Sequence, residues 1–348
     1  MGLDQFFPLS QTVVTPPAAP QKKKLKEYHF NDLFLCATPK PTAMFHFDNA
    51  HKNPLQAPPL ELTEDLSIFC QYVLQSAQSR GDQFHVDYDN LRYRVTRQVG
   101  TTREWFAIRK PLPIVPQMNH LTGFPAELTR KLFEMGHRAR ENKGGGMILL
   151  SGPSGNGKTT SAYALFNSIL HQYGSIGVTV ENPPEMMLEG PVGQSGFCFQ
   201  VPVANDQEMA RGIESALRWS PKYILLGEIR RASEAAEAVR VAKSGHLVIT
   251  TTHGGNIIET IERMGDLISV EMPRRQLASA LSCVIQQRLS DVPSGGKRLF
   301  VNPLVIEPGK EGQSIRNLIF EGELPKLNTD IAAQEKKYGA HQMVGVKR

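Results

Sequence analysis

Hydrophobic and polar residues follow two different rhythms along this chain, and the change between them falls near residue 112. Residues 60–81 carry apolar side chains at helical spacing, on one face formed by Leu66, Phe69, Cys70, Val73 and Leu74. From residue 83 to 109 polar and apolar residues alternate, which is typical of hairpin strands. These patterns predict a small α+β domain over residues 59–112.

Short apolar blocks separated by helical sequence dominate residues 121–325. The blocks predict buried strands at residues 147–150, 178–181, 223–226 and 247–252. Helices are predicted at residues 125–141, 161–173, 256–264 and 274–289. Strands that alternate with helices form a parallel sheet covered on both faces. The sequence therefore predicts an α/β fold for this larger domain.

Proline marks the segments that fit neither rhythm. Nine of the 24 prolines lie in the first 60 residues, and we predict a flexible arm over residues 1–58. A second group of prolines, at residues 111–116, predicts an extended linker over residues 113–120, because proline cannot continue a helix. Residues 326–348 are predicted to be a loose tail.

Composition narrows the class of protein. The chain has 348 residues, a formal net charge of +5 and four cysteines without a C-x-x-C pair, which argues against structural zinc. No apolar run reaches the roughly 18 residues that a membrane-spanning helix needs, and the first residues do not resemble a secretory signal. We therefore expect a cytoplasmic protein, and so small a positive charge does not indicate binding to nucleic acid.

The strongest chemical signal is a phosphate-binding loop that follows one predicted strand and precedes a helix. The segment fits G-x-x-x-x-G-K-[ST], and its residues are Gly152, Pro153, Ser154, Gly155, Asn156, Gly157, Lys158, Thr159 and Thr160. Glycines let backbone N–H groups surround a phosphate at a helix N-terminus. Lys158 carries positive charge to the β- and γ-phosphates, and the Thr159 hydroxyl is a ligand for Mg²⁺. The guanine-reading N-K-x-D motif of GTPases is absent, so we expect a nucleotide with Mg²⁺ at this loop in a protein of another class.

Polar residues follow the other predicted strands at the edge where this loop lies. Glu181 and Glu185 follow the second strand, Glu228 the third and His253 the fourth. One carboxylate can hold Mg²⁺ while another orients the attacking water. Two structural alternatives stay open: Glu181 as a turn cap, and Glu228 as an ion-pair partner of Arg230 or Arg231.

In order and spacing these segments resemble the secretion ATPases of the type II and type IV pilus superfamily. The matching segments are a Walker A loop at Gly152–Thr160, an aspartate box at Glu181–Glu185, an atypical Walker B strand at Leu226–Arg230 and a histidine box at Gly245–His253. Residues 314–321, S-I-R-N-L-I-F-E, resemble a signature of the PilT group of pilus-retraction ATPases. The resemblance covers about residues 85–325.

The resemblance implies a RecA-like P-loop NTPase domain preceded by a PAS-like domain, with ATP and Mg²⁺ as cofactors. It implies that Glu185 activates water and that Glu228 helps to coordinate Mg²⁺. His246 and His253 would couple the γ-phosphate to domain movement, and Arg103 and Arg109 would reach phosphates in a homo-hexamer. A platform protein of the inner membrane would be the partner of a cytoplasmic, peripheral motor, with no direct contact to nucleic acid.

The chain departs from the family pattern at two points, and several alternative functions stay open. Asn182 stands where the second box has its aspartate, and the N-terminal domain is shorter than in the family. Conjugation and type IVB secretion ATPases of the DotB and TraJ kind are close competitors, and retraction cannot be separated from extension. Outside the family, a RecA-like nucleic-acid translocase or helicase and an assembly protein with negligible turnover remain alternatives.

Overall fold

The computed structural model describes residues 23–28, 30–37, 42–47, 55–111, 114–291 and 297–338. The chain divides into two compact units. The first consists of Met1–Asp89 and Val95–Lys110, and the second of Asn90–Arg94 and Pro111–Arg348. Among the described residues, no helix combines the length and the apolar character that crossing a membrane requires.

The first unit contains a six-stranded sheet with the strand order β3-β2-β1-β6-β5-β4. Its strands are β1 (Asp32–Cys36), β2 (Thr42–His46), β3 (Leu55–Gln56), β4 (Gln83–Tyr88), β5 (Leu91–Val99) and β6 (Glu104–Arg109). The predicted helix is present as α1 (Thr63–Ala77), which buries Leu66, Phe69 and Val73. The prediction of one helix followed by hairpin strands is confirmed.

The prediction that residues 1–58 form a flexible arm is wrong for β1 and β2. Strand β1 pairs in antiparallel fashion with β2 on one side and with β6 on the other, and its Leu33 and Leu35 are fully buried. The backbone N–H of Leu25 also donates to Asp65 Oδ2 at 2.7 Å. Each of these strands is only five residues long and lies in a proline-rich part of the chain. So short an alternation of apolar and polar residues does not distinguish a strand from a loop. Residues 1–22 of the predicted arm lie outside the described residues.

The second unit is built on an eight-stranded sheet with the order β14-β13-β7-β12-β11-β8-β10-β9. Its strands are β7 (Gly146–Ser151), β8 (Ser175–Glu181), β9 (Gly190–Val192), β10 (Gly196–Pro202), β11 (Tyr223–Glu228), β12 (Leu247–Thr252), β13 (Leu281–Asp291) and β14 (Lys297–Val305). Strands β13, β7, β12, β11, β8 and β10 run parallel, while β14 and β9 pair in antiparallel fashion at the two edges.

Helices cover both faces of this sheet, as predicted. They are α2 (Ala126–Arg140), α3 (Lys158–Tyr173), α4 (Met209–Leu217), α5 (Ala232–Lys243), α6 (Ile257–Ser269), α7 (Arg275–Ala280), α8 (Gln313–Glu321) and α9 (Asn328–Tyr338). Side chains alternate across each strand, so Met147 and Leu149 of β7 join one core while Ile148 and Leu150 join the other. The α/β fold with a smaller α+β unit is confirmed.

Two predictions for the end of the chain are wrong. The helix predicted at residues 274–289 ends at Ala280, and β13 follows it between β7 and β14. Val284 and Ile285 are β-branched and fully buried there, and a short apolar run fits a buried strand as well as a buried helix. The predicted loose tail contains α9, where the side chain of Gln334 bonds both backbone groups of Val305. Residues 339–348 of that tail lie outside the described residues.

Candidate nucleotide-binding site

The loop between β7 and α3 has the backbone that a phosphate site requires. Gly152, Gly155 and Gly157 have φ values of 145°, 75° and 75°, and the helix begins at Lys158. Only glycine adopts these conformations readily. A Cβ built on Gly155 meets no atom of the protein within 4 Å, so this part of the loop faces open space large enough for a ligand to approach the backbone.

Lys158 supplies the positive charge of this loop from a buried position. Its Nζ donates to the carbonyl oxygens of Gly152 at 2.9 Å and Pro153 at 3.1 Å. Burial lowers the pKa of Lys158, and the negative charges of Glu228 and Glu185 oppose this effect. The side chain is therefore held inside the loop by neutral carbonyl groups, with two carboxylates close enough to affect it.

Strand β13 fixes the other side of the loop. The backbone N–H of Leu289 donates to Asn156 Oδ1 at 2.7 Å, and Gln287 Nε2 donates to the Asn156 carbonyl at 2.6 Å. A Cβ on Gly152 would lie 2.3 Å from the carbonyl oxygen of Gln287, so that position accepts only glycine. Sequence reasoning missed Gln287 because it assigned this segment to a helix.

The end of β11 carries Glu228, which has two basic partners. Arg230 donates to Glu228 Oε2 from Nε at 2.9 Å and from Nη2 at 2.8 Å. His253, which follows β12, has Nε2 at 2.7 Å from Glu228 Oε1. The expectation that Glu228 and His253 meet at one edge agrees with this geometry, and so does the structural alternative of an Arg230 ion pair.

Glu181, at the end of β8, is buried in a polar network that sequence reasoning did not identify. Tyr163 of α3 donates to Glu181 Oε1 at 2.5 Å, and burial raises the pKa of Glu181 to about 7. Gln200 of β10 donates from Nε2 to the Met186 carbonyl at 2.9 Å and accepts from the backbone N–H of Leu188 at 2.8 Å. The network therefore holds the segment after β8, on which Glu185 lies with its side chain exposed.

His246 does not lie near this edge. It precedes β12, and its Nδ1 is 2.7 Å from the carbonyl oxygen of Pro221. Leu247 pairs with Gly146 and Thr252 with Ser151, so His246 lies beside the start of β7 while the loop follows its end. Strands rise about 3.3 Å per residue, which separates the two ends by roughly 20 Å. His246 therefore lies too far from this loop to contact a nucleotide bound there in the same chain, and its predicted part in coupling the γ-phosphate to domain movement stays a prediction.

Arg103 and Arg109 belong to the first unit. Arg103 is exposed in the turn between β5 and β6. Arg109 pairs with Asp32 of the neighbouring strand, with Nε at 2.8 Å from Oδ1. Their action on phosphates stays a prediction, and for Arg109 it would require exchange of this ion pair.

The residues at this edge fit a magnesium ion that is held together with a nucleotide. The described residues contain no group of three or more histidine, cysteine or acidic side chains arranged to hold a metal. Mg²⁺ in nucleotide sites takes only one or two protein ligands besides phosphates and water. Thr159 in the first turn of α3 and Glu228 supply the oxygen donors of that type.

Comparisons with known proteins agree with this geometry. The family model of the type II/IV secretion system proteins matches residues 130–316. The chain is 40% identical over 144 residues to type II secretion system protein E of Aeromonas hydrophila, covering 41% of this chain and 27% of that protein. It is 31% identical over 194 residues to the twitching motility protein of Neisseria gonorrhoeae, covering 53% and 48%. The chain thus spans about a quarter to a half of the length of these curated relatives.

Solved structures show the same fold. A crystal structure of the pilus retraction motor PilT with bound ADP matches with a TM-score of 0.67 and 24% identity, over 93% of this chain and 98% of PilT. The ATPase DotB of Legionella pneumophila matches with a TM-score of 0.65 and 17% identity, over 89% and 84%. Because the family model covers more than half of the chain, this protein belongs to the type II/IV secretion system protein family.

Proposed function

We propose that this chain is a Mg²⁺-dependent ATPase that hydrolyses ATP at the loop between β7 and α3. One observation carries the proposal. Lys158, the first residue of α3, is held inside the loop by the carbonyl oxygens of Gly152 and Pro153, and the negative charges of Glu228 and Glu185 lie close enough to act on it. A phosphate-binding lysine and two carboxylates in one place are the groups that phosphoryl transfer to water requires.

Each residue has a separate part in this reaction. Lys158 neutralises charge on the transferred phosphoryl group, and the backbone N–H groups of the loop bind its oxygens. Glu185, whose carboxylate is exposed, orients the attacking water and accepts its proton. Thr159 and Glu228 would hold Mg²⁺, which supplies charge neutralisation when bound. His253 keeps one oxygen of Glu228 in place through their 2.7 Å contact.

We further propose that the chain acts as a homo-hexameric motor of a pilus or secretion machine. Its membership of the family and its similarity to a twitching motility protein support this role. Arg103 and Arg109 would then act on the nucleotide as arginine fingers, which are worth about 10³ to 10⁵ in rate in other enzymes. The motor would work at the inner membrane through a platform protein, in pilus retraction or in a related secretion or conjugation system.

The test of hydrolysis compares phosphate release with nucleotide binding in matched variants. We expect Lys158→Ala to lose both ATP binding and turnover. We expect Glu185→Gln to bind a fluorescent ATP analogue with Mg²⁺ normally while its turnover falls by about 10² or more. Glu189→Gln is the control, because Glu189 is an exposed carboxylate on the same segment, and it should keep the wild-type rate.

Two outcomes would contradict these proposals. Wild-type turnover in Glu185→Gln would remove the role given to Glu185, and absent turnover in the wild-type chain would leave only nucleotide-dependent assembly. For the hexamer, light scattering with ATP should show six chains, and turnover per chain should rise with protein concentration. Stimulation of turnover by DNA would favour a nucleic-acid motor instead.

A further inference from the structure

A cavity of about 340 Å³ lies at the edge of the second unit's sheet that is opposite the nucleotide loop. It is formed by one face of α2, the residue before β7, the start of β13, the segment after β14, and α8. Its volume falls in the range of small-molecule sites, about 300–1,000 Å³. Its polar side chains include Lys131, Glu134, Arg138, Ser282, Glu307 and Arg316.

The charges in this cavity are unevenly paired. Lys131 Nζ lies 2.8 Å from Glu307 Oε1 and 3.3 Å from Glu134 Oε2, and Arg130 pairs with the other oxygen of Glu134. Arg316 donates from Nη1 to the carbonyl oxygen of Glu307 at 2.7 Å, and Arg138 donates from Nη2 to the Lys143 carbonyl at 3.3 Å. In the described part of the chain, neither arginine forms an ion pair.

This arrangement places two guanidinium groups beside one cavity, and neither of them is paired with the carboxylates of Glu134 and Glu307 that line it. Burial lowers the pKa of Arg316, and the positive charge of Arg138 lowers it further. Burying a charge is costly unless it is paired. An anion between Arg138 and Arg316 would relieve the repulsion and replace part of the lost hydration of Arg316.

The backbone around the cavity is shaped to hold these donors. A Cβ on Gly312 would lie 2.1 Å from the carbonyl oxygen of Glu307 and 2.5 Å from Arg316 Nη1. Glycine at this position therefore allows the guanidinium to reach the segment after β14. In the same way, a Cβ on Gly146 would lie 1.9 Å from the hydroxyl oxygen of Ser282, so glycine makes room for that hydroxyl group.

We propose that this cavity binds a small phosphate ester, with its phosphate group between Arg138 and Arg316. Guanidinium groups match phosphate oxygens with paired N–H donors, and the Ser282 hydroxyl adds a further donor. The Oε2 atom of Glu307, which is not the oxygen that Lys131 contacts, provides an acceptor for the organic part of the ligand. The site gives a role to Arg316, which lies in the segment 314–321 and has no part in the nucleotide site. The proposal is independent of ATP hydrolysis.

The test measures binding of inorganic phosphate and of glycerol 3-phosphate by calorimetry to the full chain carrying Lys158→Ala, so that the nucleotide loop does not contribute. We expect one saturable site per chain with tighter binding of glycerol 3-phosphate. Adding Arg138→Gln should weaken binding by about tenfold or more, because a hydrogen-bonded charge pair is lost. Arg211→Gln is the matched control. It removes the same charge from an exposed position on α4 and should leave binding unchanged.

Arg316→Gln should also weaken binding. Because Arg316 also bonds the segment after β14, the melting temperature of this variant must be measured together with its binding. Arg138 bonds a single carbonyl, and Arg138→Gln therefore decides the question if Arg316→Gln unfolds. Three results would overturn the proposal: neither probe binds to Lys158→Ala, Arg138→Gln binds as tightly as Arg211→Gln, or only inorganic phosphate binds.

Discussion

The buried carboxyl group of Glu181 should make the second unit less stable as pH rises. Glu181 is 3% exposed and accepts a hydrogen bond from Tyr163. Burial raises its pKa from 4.5 to about 7, whereas in the unfolded chain it keeps its ordinary value. Because the pKa of Glu181 is higher in the folded than in the unfolded chain, its contribution to the free energy of unfolding is complete below pH 4.5 and is lost as pH rises through 7.

The size of this effect follows from the shift. One pKa unit corresponds to about 1.4 kcal/mol, so the rise from 4.5 to about 7 gives about 3 kcal/mol between the two pH limits. Glu181→Gln removes the titration and keeps an oxygen that accepts from Tyr163. We therefore expect the difference in unfolding free energy between Glu181→Gln and wild type to change by about 3 kcal/mol in favour of the variant as pH rises from 4.5 to 8.

The measurement is urea unfolding at several pH values in a Trp105→Phe background. The chain has two tryptophans, so Trp219 then reports on the second unit alone. Glu214→Gln is the control, because Glu214 is exposed on α4 and its removal should leave the wild-type slope. Parallel pH profiles for wild type and Glu181→Gln would refute the argument that Glu181 is folded as a neutral acid.

Two further predictions concern the loop and the first unit. Gly152→Ala places a Cβ 2.3 Å from the Gln287 carbonyl and should lower the melting temperature by several degrees. Gly155→Ala meets no protein atom within 4 Å but puts alanine at a φ of 75°, so it should lower the melting temperature less than Gly152→Ala does while weakening binding in an ATP titration. Burial lowers the pKa of Lys110 from 10.5 to about 8, so the folded first unit favours the neutral amine. Its free energy of unfolding should therefore fall as pH falls from about 10.5 through 8. Lys110→Met should remove this pH dependence in urea unfolding.

The nucleotide loop could be predicted from the sequence because its residue types are dictated by a local requirement. A phosphate must approach the backbone, so glycines with positive φ, such as Gly155 and Gly157, recur at fixed spacing before a helix. The edge of the sheet was predictable for a similar reason. Parallel strands end together, so residues that follow β11 and β12 meet, as Glu228 and His253 do.

Elements whose conformation depends on distant partners could not be predicted in the same way. Strand β13 becomes a strand because β7 and β14 flank it, and its own apolar run is compatible with a helix. Strand β1 is ordered by pairing with β6, about 70 positions later in the chain. The resemblance also grouped His246 with His253 in one box, although the length of β12 separates them.

The residues that support the site were missed because their side chains are not specific to one chemistry. Tyr163, Gln200 and Gln287 are common residue types, and each acts through a contact that the local sequence does not reveal. Gln200 and Tyr163 are 37 positions apart, and Gln287 reaches Asn156 across 131 positions. The motif therefore specifies the groups that we propose to contact the nucleotide, whereas the packing of β10 and β13 determines whether those groups are held in position. Substitutions at Gln200 and Gln287 should for this reason affect the loop and the Glu185 segment without removing any group that contacts the nucleotide.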